Sequence, residues 1–279
     1  IPVLGAVAHS RKSTNLVAYD NPKSPIAEGF RAIRTNLQFL FSKEAKQRGK
    51  ISLITSSIGG EGKTFCSINL ASIQAMAGSK TVLVGVDLRK PKIYNDFGLT
   101  NDLGLTNYLI GQSNLQEITQ ASGYDNLDII SAGPVPPNPS ELILSDEFKN
   151  LLEELKAHYD YIVLDTPPVG IVADSLQIMQ MADVTLYVVR QDYTRKEALE
   201  LINDQFENQR VKNISILFND AQAKRGYGYG YGYGYGYGYG YGYGYGETYG
   251  YGYYDNDEDD PAQRKSKKKK GWFKKIFKA

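Results

Sequence analysis

The chain has 279 residues, a formal net charge of +1 at neutral pH and a single cysteine, Cys66. One cysteine excludes an internal disulfide and fits a reducing cytosol, and no apolar stretch reaches the roughly 18 residues that span a bilayer. The charge itself excludes little, because it averages blocks of opposite sign near the C-terminus.

Residues 1–49 form an N-terminal arm in which Pro22 and Pro25 precede a helical run from Ile26 to about Phe41. Glu28, Arg31 and Arg34 recur there at steps of three, a charged stripe that on composition alone reads as a solvated helix face with one ion pair. From residue 50 to 221, short β-branched runs alternate with amphipathic stretches. The predicted strands are Ile51–Thr55, Thr81–Val86, Leu127–Ile130, Tyr161–Leu164, Val184–Val189 and Ile214–Phe218, with helices over Lys63–Ala77, Ser140–His158 and Thr194–Arg210. That alternation predicts an α/β, doubly wound, mostly parallel sheet covered on both faces. Near-continuous apolar runs such as Thr81-Val-Leu-Val-Gly-Val86 fit strands buried on both sides. Arm and core together make one domain of roughly 220 residues, large enough to fold without metal or disulfide staples.

Ser57-Ile-Gly-Gly-Glu-Gly-Lys-Thr64 follows a predicted strand and opens a predicted helix, the setting of a phosphate-binding loop. Gly59, Gly60, Glu61 and Gly62 let backbone N–H groups curl around phosphate oxygens, and the helix start adds partial positive charge. Lys63 would reach the β- and γ-phosphates and the Thr64 hydroxyl would ligate Mg²⁺. Ser57 stands where the usual pattern has its first glycine, so the strict motif is not met. Asp87 and Asp165 each follow a predicted strand, and in a parallel sheet those tips open on the side of the loop. Asp165 has the place of the acid that holds Mg²⁺; Asp87 suits metal contact or proton abstraction from a hydroxyl. Asn219 ends the last strand, where a side chain can read a purine edge, and the Asn-Lys-x-Asp signature of guanine binders is absent, which favours ATP. His9 and His158 lack metal-ligand spacing and are assigned no role.

These segments together resemble the catalytic domain of bacterial P-loop tyrosine autokinases, the type tied to capsule and exopolysaccharide export. The similarity rests on Ile1-Pro-Val-Leu-Gly5, on Glu28-Gly-Phe-Arg31-Ala-Ile-Arg34, on Val84-Gly-Val-Asp87-Leu-Arg-Lys-Pro91, on Gly133-Pro-Val-Pro-Pro-Asn-Pro-Ser-Glu-Leu142 and on Val163-Leu-Asp165-Thr-Pro-Pro168, in that order, with a terminal tyrosine cluster. The resemblance implies that Lys63 and Thr64 handle phosphate and Mg²⁺ while Asp87 and Asp165 share metal and base roles. It also implies that the Glu28/Arg31/Arg34 helix packs against a neighbouring subunit of a ring-shaped homo-oligomer. The further partners it implies are a transmembrane activator, upstream in the same polypeptide or on another chain, an opposing tyrosine phosphatase and the export machinery, at the cytoplasmic face of the cell membrane. Arg190 is a weaker candidate for a cation at the phosphates. A partition- or positioning-type ATPase is the alternative enzyme; such proteins typically carry lysine before the Gly-Gly, where this chain has Ile58. A nucleotide-gated scaffold without phosphotransfer is the alternative outside enzymes.

Residues 222–254 carry Tyr227, Tyr229, Tyr231, Tyr233, Tyr235, Tyr237, Tyr239, Tyr241, Tyr243, Tyr245, Tyr249, Tyr251, Tyr253 and Tyr254, fourteen of the chain's 22 tyrosines. Alternation with glycine opposes both helix and strand, so a disordered segment is expected. Attached to a kinase it reads as the phosphorylation substrate; standing alone it reads equally as an adhesive aromatic tract. Residues 255–279 hold five acids, from Asp255 to Asp260, and then nine bases interleaved with Trp272, Phe273, Ile276 and Phe277. That basic end suits an anionic membrane surface; nucleic acid would attract the same charges, the end could fold back onto a phosphorylated tail, and a merely solubilising end is the plain alternative.

Overall fold

The computed structural model describes residues 1–10, 14–42, 48–169 and 175–222. The tyrosine tract and the charged end, with every tyrosine expected as substrate, lie outside the described residues. One eight-stranded sheet organises the rest, in the order β1-β8-β7-β2-β6-β3-β5-β4. In chain order the strands are β1 (Val3–Ala8), β2 (Lys50–Ser56), β3 (Thr81–Gly85), β4 (Thr119–Ala121), β5 (Leu127–Ile130), β6 (Tyr161–Asp165), β7 (Val184–Arg190) and β8 (Ile214–Ala221). All neighbours pair in parallel except β4 with β5. The expected doubly wound, mostly parallel sheet is therefore what forms.

Parallel strands need crossovers, and here the crossovers cover both faces. The helices are α1 (Val17–Asp20), α2 (Pro25–Leu37), α3 (Lys63–Met76), α4 (Ile93–Asp96), α5 (Leu105–Leu109), α6 (Leu115–Ile118), α7 (Pro139–Ile143), α8 (Asp146–His158), α9 (Ser175–Gln180) and α10 (Lys196–Glu207). Successive residues of a strand point to opposite faces, so β6 sends Tyr161 and Val163 to one core and Ile162 and Leu164 to the other. On the first face Phe30, Ile33 and Leu37 of α2 pack with Ile68 and Ile73 of α3. On the second, Phe148, Leu151 and Leu155 of α8 cover the strands.

Three features differ from the sequence reading. Val3–Ala8, read only as part of an arm, is an edge strand paired with β8. Pro2 and Gly5 obscure its pattern, yet Gly5 is what lets α2 lie against it: a Cβ there would sit 2.7 Å from Ile33 Cγ1. Thr119–Ala121 is a short antiparallel edge strand too brief to show a period. The stretch 140–158 is two helices, because Ser145 caps α8 by accepting from Phe148 N at 3.3 Å and so ends α7 before it.

Candidate phosphate-binding and phosphotransfer site

Strand β2 lies between β7 and β6, and the chain leaves it towards β6 and β3 and later returns on its other side as β7 and β8. A ligand crevice opens at such a switch point, beyond the strands' carboxyl ends. The loop 57–62 fills this place between β2 and α3. Gly62, the residue before α3, is left-handed at φ +94°, and Gly60 has φ +86°. Glycine is the residue that adopts these angles without strain.

Side chains from β7, β8 and the turn after β7 pin the outer side of the loop. Tyr193 Oη donates to the Gly59 carbonyl at 3.0 Å, Arg190 Nη1 to the Gly60 carbonyl at 2.8 Å, and Asn219 Nδ2 to the Glu61 carbonyl at 3.0 Å. In a planar trans peptide the N–H points away from its C=O. Anchoring three consecutive carbonyls outward therefore turns the N–H groups of Gly60, Glu61 and Gly62 to the opposite side, which is how a backbone makes an anion cradle.

Glu61 braces the loop from within. Its side chain is fully buried and accepts from Ser57 Oγ at 2.6 Å, from the Ile58 N–H at 2.8 Å and from Thr194 Oγ1. The serine that breaks the glycine pattern is thus a donor to a buried carboxylate. Burial also pushes the neighbouring Tyr187 hydroxyl up to about 12, helped by the Glu61 charge and opposed by a hydrogen bond to Ser57.

Lys63 and Thr64 open α3 towards the strand tips. Lys63 Nζ donates to Ser56 Oγ at 3.1 Å. Burial pushes the Lys63 ammonium's pKa below its ordinary value, against the pull of Asp165, Asp87 and Glu61. Asp165 ends β6 opposite Ile54 of β2 and Gly85 of β3. Its carboxylate accepts from Thr64 Oγ1 at 2.8 Å and from Ser67 Oγ at 3.1 Å. Burial raises Asp165 to about 6, with those two hydrogen bonds and Lys63 opposing the rise. Asp87 lies just past β3, half-buried, and its N–H bonds the Asp165 carbonyl at 3.2 Å. The two strand-tip acids are thus neighbours, facing the start of α3.

The donor set fits Mg²⁺. Thr64, Asp87 and Asp165 offer only hard oxygen ligands, and Mg²⁺ is commonly held by one or two carboxylates plus substrate phosphates. Among the described residues no group of three or more His, Cys, Asp or Glu side chains could hold a metal, so phosphate oxygens and water would complete such a shell. A cation there would also offset the cost of ionising Asp165 where it is buried.

Other expected residues take different places. Asn219 is buried and its amide is committed to the loop carbonyl, so it acts here as a brace for the cradle. Glu28 and Arg31 form the i,i+3 ion pair expected of their spacing. Arg34 instead donates to the Ile73 carbonyl of α3 at 3.2 Å. Arg190, weakly indicated by sequence, is fixed by Asp220 Oδ2 at 2.9 Å and stacks 5.0 Å from the Tyr193 ring centroid. Asp220 also bonds His9 at the end of β1. Burial pushes the Asp220 carboxyl up, but the His9 and Arg190 bonds outweigh it and leave its pKa lowered. Thr194, Tyr193 and Ser67 carried no sequence signal, since they meet the loop or its acids only through the topology, and Asp220 reaches the loop only by way of Arg190.

Comparison with known proteins agrees with this geometry. Residues 49–216 match the AAA domain family. Tyrosine-protein kinase YwqD of Bacillus subtilis is 40% identical over 188 residues, covering 67% of this chain and 78% of that protein. The putative tyrosine-protein kinase CapB of Staphylococcus aureus is 42% identical over 167 residues, covering 59% of this chain and 72% of that one. Among solved structures, the kinase domain of Escherichia coli tyrosine kinase ETK superposes with a TM-score of 0.74 at 32% identity, over 84% of this chain and 95% of that domain.

Proposed function

We propose that this chain, which belongs to the bacterial tyrosine-protein kinases, phosphorylates tyrosines of its own terminal cluster, Tyr227 to Tyr254, with ATP and Mg²⁺, between subunits of a ring. The observation that carries the reading is the convergence of the cradle, Lys63, Thr64 and the paired acids Asp87 and Asp165 at one set of strand tips.

In this reading the N–H groups of the loop and Lys63 hold the β- and γ-phosphates, and Asn219 keeps the loop closed behind them. Thr64, Asp165 and Asp87 would hold Mg²⁺, which supplies charge neutralisation on the phosphates when bound. Asp87, the more open of the two acids, takes the proton of the incoming tyrosine hydroxyl. The tyrosine oxygen then bonds the γ-phosphorus as the bond to the β–γ bridging oxygen breaks, and ADP leaves. Ser67 and Thr64 hold the Asp165 carboxylate still throughout.

The ring is proposed to form through α2, with exposed Glu28 and half-buried Arg31 meeting a neighbouring subunit and Arg34 steadying the helix on α3. Each phosphate adds about −1.5 to −2 charges at neutral pH, so a fully modified tail carries on the order of twenty or more negative charges and loosens the ring. A transmembrane activator raises the chain's own basal activity, a tyrosine phosphatase resets it, and the cycle regulates polysaccharide synthesis or export at the cytoplasmic face of the cell membrane. No helix among the described residues is long and apolar enough to cross a membrane; the basic end, residues 264–278, is proposed to touch its anionic surface.

The test is intact-mass and site-mapping mass spectrometry of the purified chain after incubation with ATP and Mg²⁺. Multiple single-phosphate additions within residues 227–254, absent from Lys63→Met, are expected. ATP hydrolysis with no modified tyrosine would instead identify a partition-type ATPase, and nucleotide binding without turnover a scaffold.

A further inference from the structure

The turn after β3 carries three exposed cations in four positions, Arg89, Lys90 and Lys92, directly beside Asp87. Among the described residues none of the three takes part in an ion pair. Their backbone is nonetheless fixed. Asp87 Oδ1 accepts from the N–H groups of Arg89 at 3.2 Å and Lys90 at 3.1 Å, and Leu88 and Ile93 on either side are buried in the two cores. Arg89 Nη2 reaches across to Ser140 Oγ at 3.0 Å. Asp87, which holds this turn, is itself bonded through its N–H to the Asp165 carbonyl at 3.2 Å, which places this positive charge at the mouth of the phosphate site.

An unpaired, positionally fixed basic patch is a site for an anionic partner. The chain supplies one of matching form: Tyr253 and Tyr254 are followed at once by Asp255-Asn-Asp-Glu-Asp-Asp260. We propose that Arg89, Lys90 and Lys92 determine substrate specificity, by binding the acidic residues that follow a tyrosine seated at Asp87. The preferred substrate class is then a tyrosine followed by an acidic run, and on a neighbouring copy of this chain it is Tyr253 and Tyr254 that are phosphorylated first.

The spans agree. Extended chain advances about 3.3 Å per residue, so acids one to six positions beyond the tyrosine fall roughly 3–20 Å from it. Cations two to five residues from Asp87 lie within roughly 18 Å of it along the chain. The patch also answers an electrostatic problem. Asp87 and Asp165 would repel an approaching acidic segment, and unpaired cations beside them reverse the sign of the local field. The Tyr-Gly repeats carry no charge and gain nothing from the patch; they follow once local concentration is high.

This inference rests on the kinase reading above, and the experiment separates the two. The full chain with ATP and Mg²⁺ is given a peptide of residues 249–260, the same peptide with its five acids replaced by Asn or Gln, and a Tyr-Gly repeat peptide. Three exposed charge pairs predict a KM roughly tenfold lower for the acidic peptide at low salt, with kcat little changed. The preference shrinks as salt rises. In the variant Arg89→Gln/Lys90→Gln/Lys92→Gln, assayed at saturating ATP, the preference disappears while phosphorylation of the Tyr-Gly peptide is retained. Binding of the labelled peptides without turnover, read by fluorescence anisotropy, decides the patch independently. If no peptide is phosphorylated, the kinase reading fails, but tighter binding of the acidic peptide that is lost in the variant still supports the patch. Equal KM and equal binding of acidic and neutral peptides, or a preference that survives in the variant, overturns it.

Discussion

Replacing Asp165 with Asn is expected to stabilise the nucleotide-free protein while weakening its response to Mg²⁺ and ATP. The Asp165 side chain is buried and its pKa is raised to about 6, against about 4 for an unperturbed carboxyl. Holding it ionised therefore costs about 3 kcal/mol near neutral pH. Asn fits the same hydrogen-bond geometry. Its carbonyl accepts from Thr64, and its NH₂ donates to Ser67 Oγ, whose own proton turns from the carboxylate to the Lys63 carbonyl 3.0 Å away. The pH dependence has a defined sign. Below about pH 4 the carboxyl is protonated in folded and unfolded chains alike, and wild type and variant are equally stable. Between about 4 and 6 the folded chain keeps the proton and the unfolded chain loses it, so wild-type stability falls as pH rises. Above about 6 the gap is constant and the variant melts roughly 6–12 °C higher, at 2–4 °C per kcal/mol for a domain of this size. Excess Mg²⁺ and ATP should then raise the wild-type melting temperature much more than the variant's, since a ligand at a hundredfold its Kd adds about 2.7 kcal/mol. Differential scanning fluorimetry from pH 4 to 8, with and without ligand, reads all of this. A variant that melts below wild type at pH 7.5, or a gap that does not change with pH, would refute the account of a carboxylate held at a cost for its ligand.

Gly62→Ala meets two obstacles, a left-handed φ and a Cβ placed 2.2 Å from Asn219 Nδ2. Left-handed strain and the displaced Asn219 bond together predict a loss of about 2–3 kcal/mol. The double variant with Asn219→Ala should recover only the steric part, and additive losses in urea unfolding would show that the two residues do not meet. Asp220→Asn should weaken nucleotide binding roughly tenfold, the value of one charge-assisted hydrogen bond, by loosening Arg190 from the Gly60 carbonyl. Because the Asp220 pKa is lowered, its contribution is fully present above the ordinary carboxylate range and is lost only as pH falls below that range. Titration calorimetry of ATP at neutral pH reads the change, and unaltered affinity counts against the linkage.

The sheet and the catalytic tips were legible because their signals are local. Each central strand is a mostly apolar run; Asp87 and Asp165 stand at the ends of two of them, and the glycine loop that carries Lys63 and Thr64 into α3 follows a third. Parallel pairing then brings their ends to one side without further information. What stayed hidden depends on contacts distant in sequence. Gly5 looks like a break in a pattern until α2 is laid against it. Asn219 was placed at a strand tip by sequence, but its amide partner, the Glu61 carbonyl, lies 158 residues away. Thr194 and Tyr193 belong to a turn after β7 with no motif of its own, and only the adjacency of β7 to β2 sets them against the loop. Ser57 read as a defect in the glycine pattern because the partner that explains it, the buried Glu61 carboxylate, is visible only once the loop is folded.

The arrangement of braces also explains why the cradle tolerates that serine. A glycine-rich loop loses much conformational entropy on ordering, and that loss would fall on nucleotide binding if the loop ordered only with its ligand. Here the ordering is done beforehand by protein groups. Tyr193, Arg190 and Asn219 hold the outward carbonyls, and Ser57, the Ile58 N–H and Thr194 hold Glu61 from inside. The inner set satisfies a fully buried carboxylate that would otherwise be costly to desolvate. Glu61→Gln keeps the shape and one good acceptor but places an NH₂ against a donor. Loss of affinity for ATP in that variant, larger than its loss of thermal stability, is the signature of a loop ordered for its ligand. Equal losses would mean that the brace serves the fold alone.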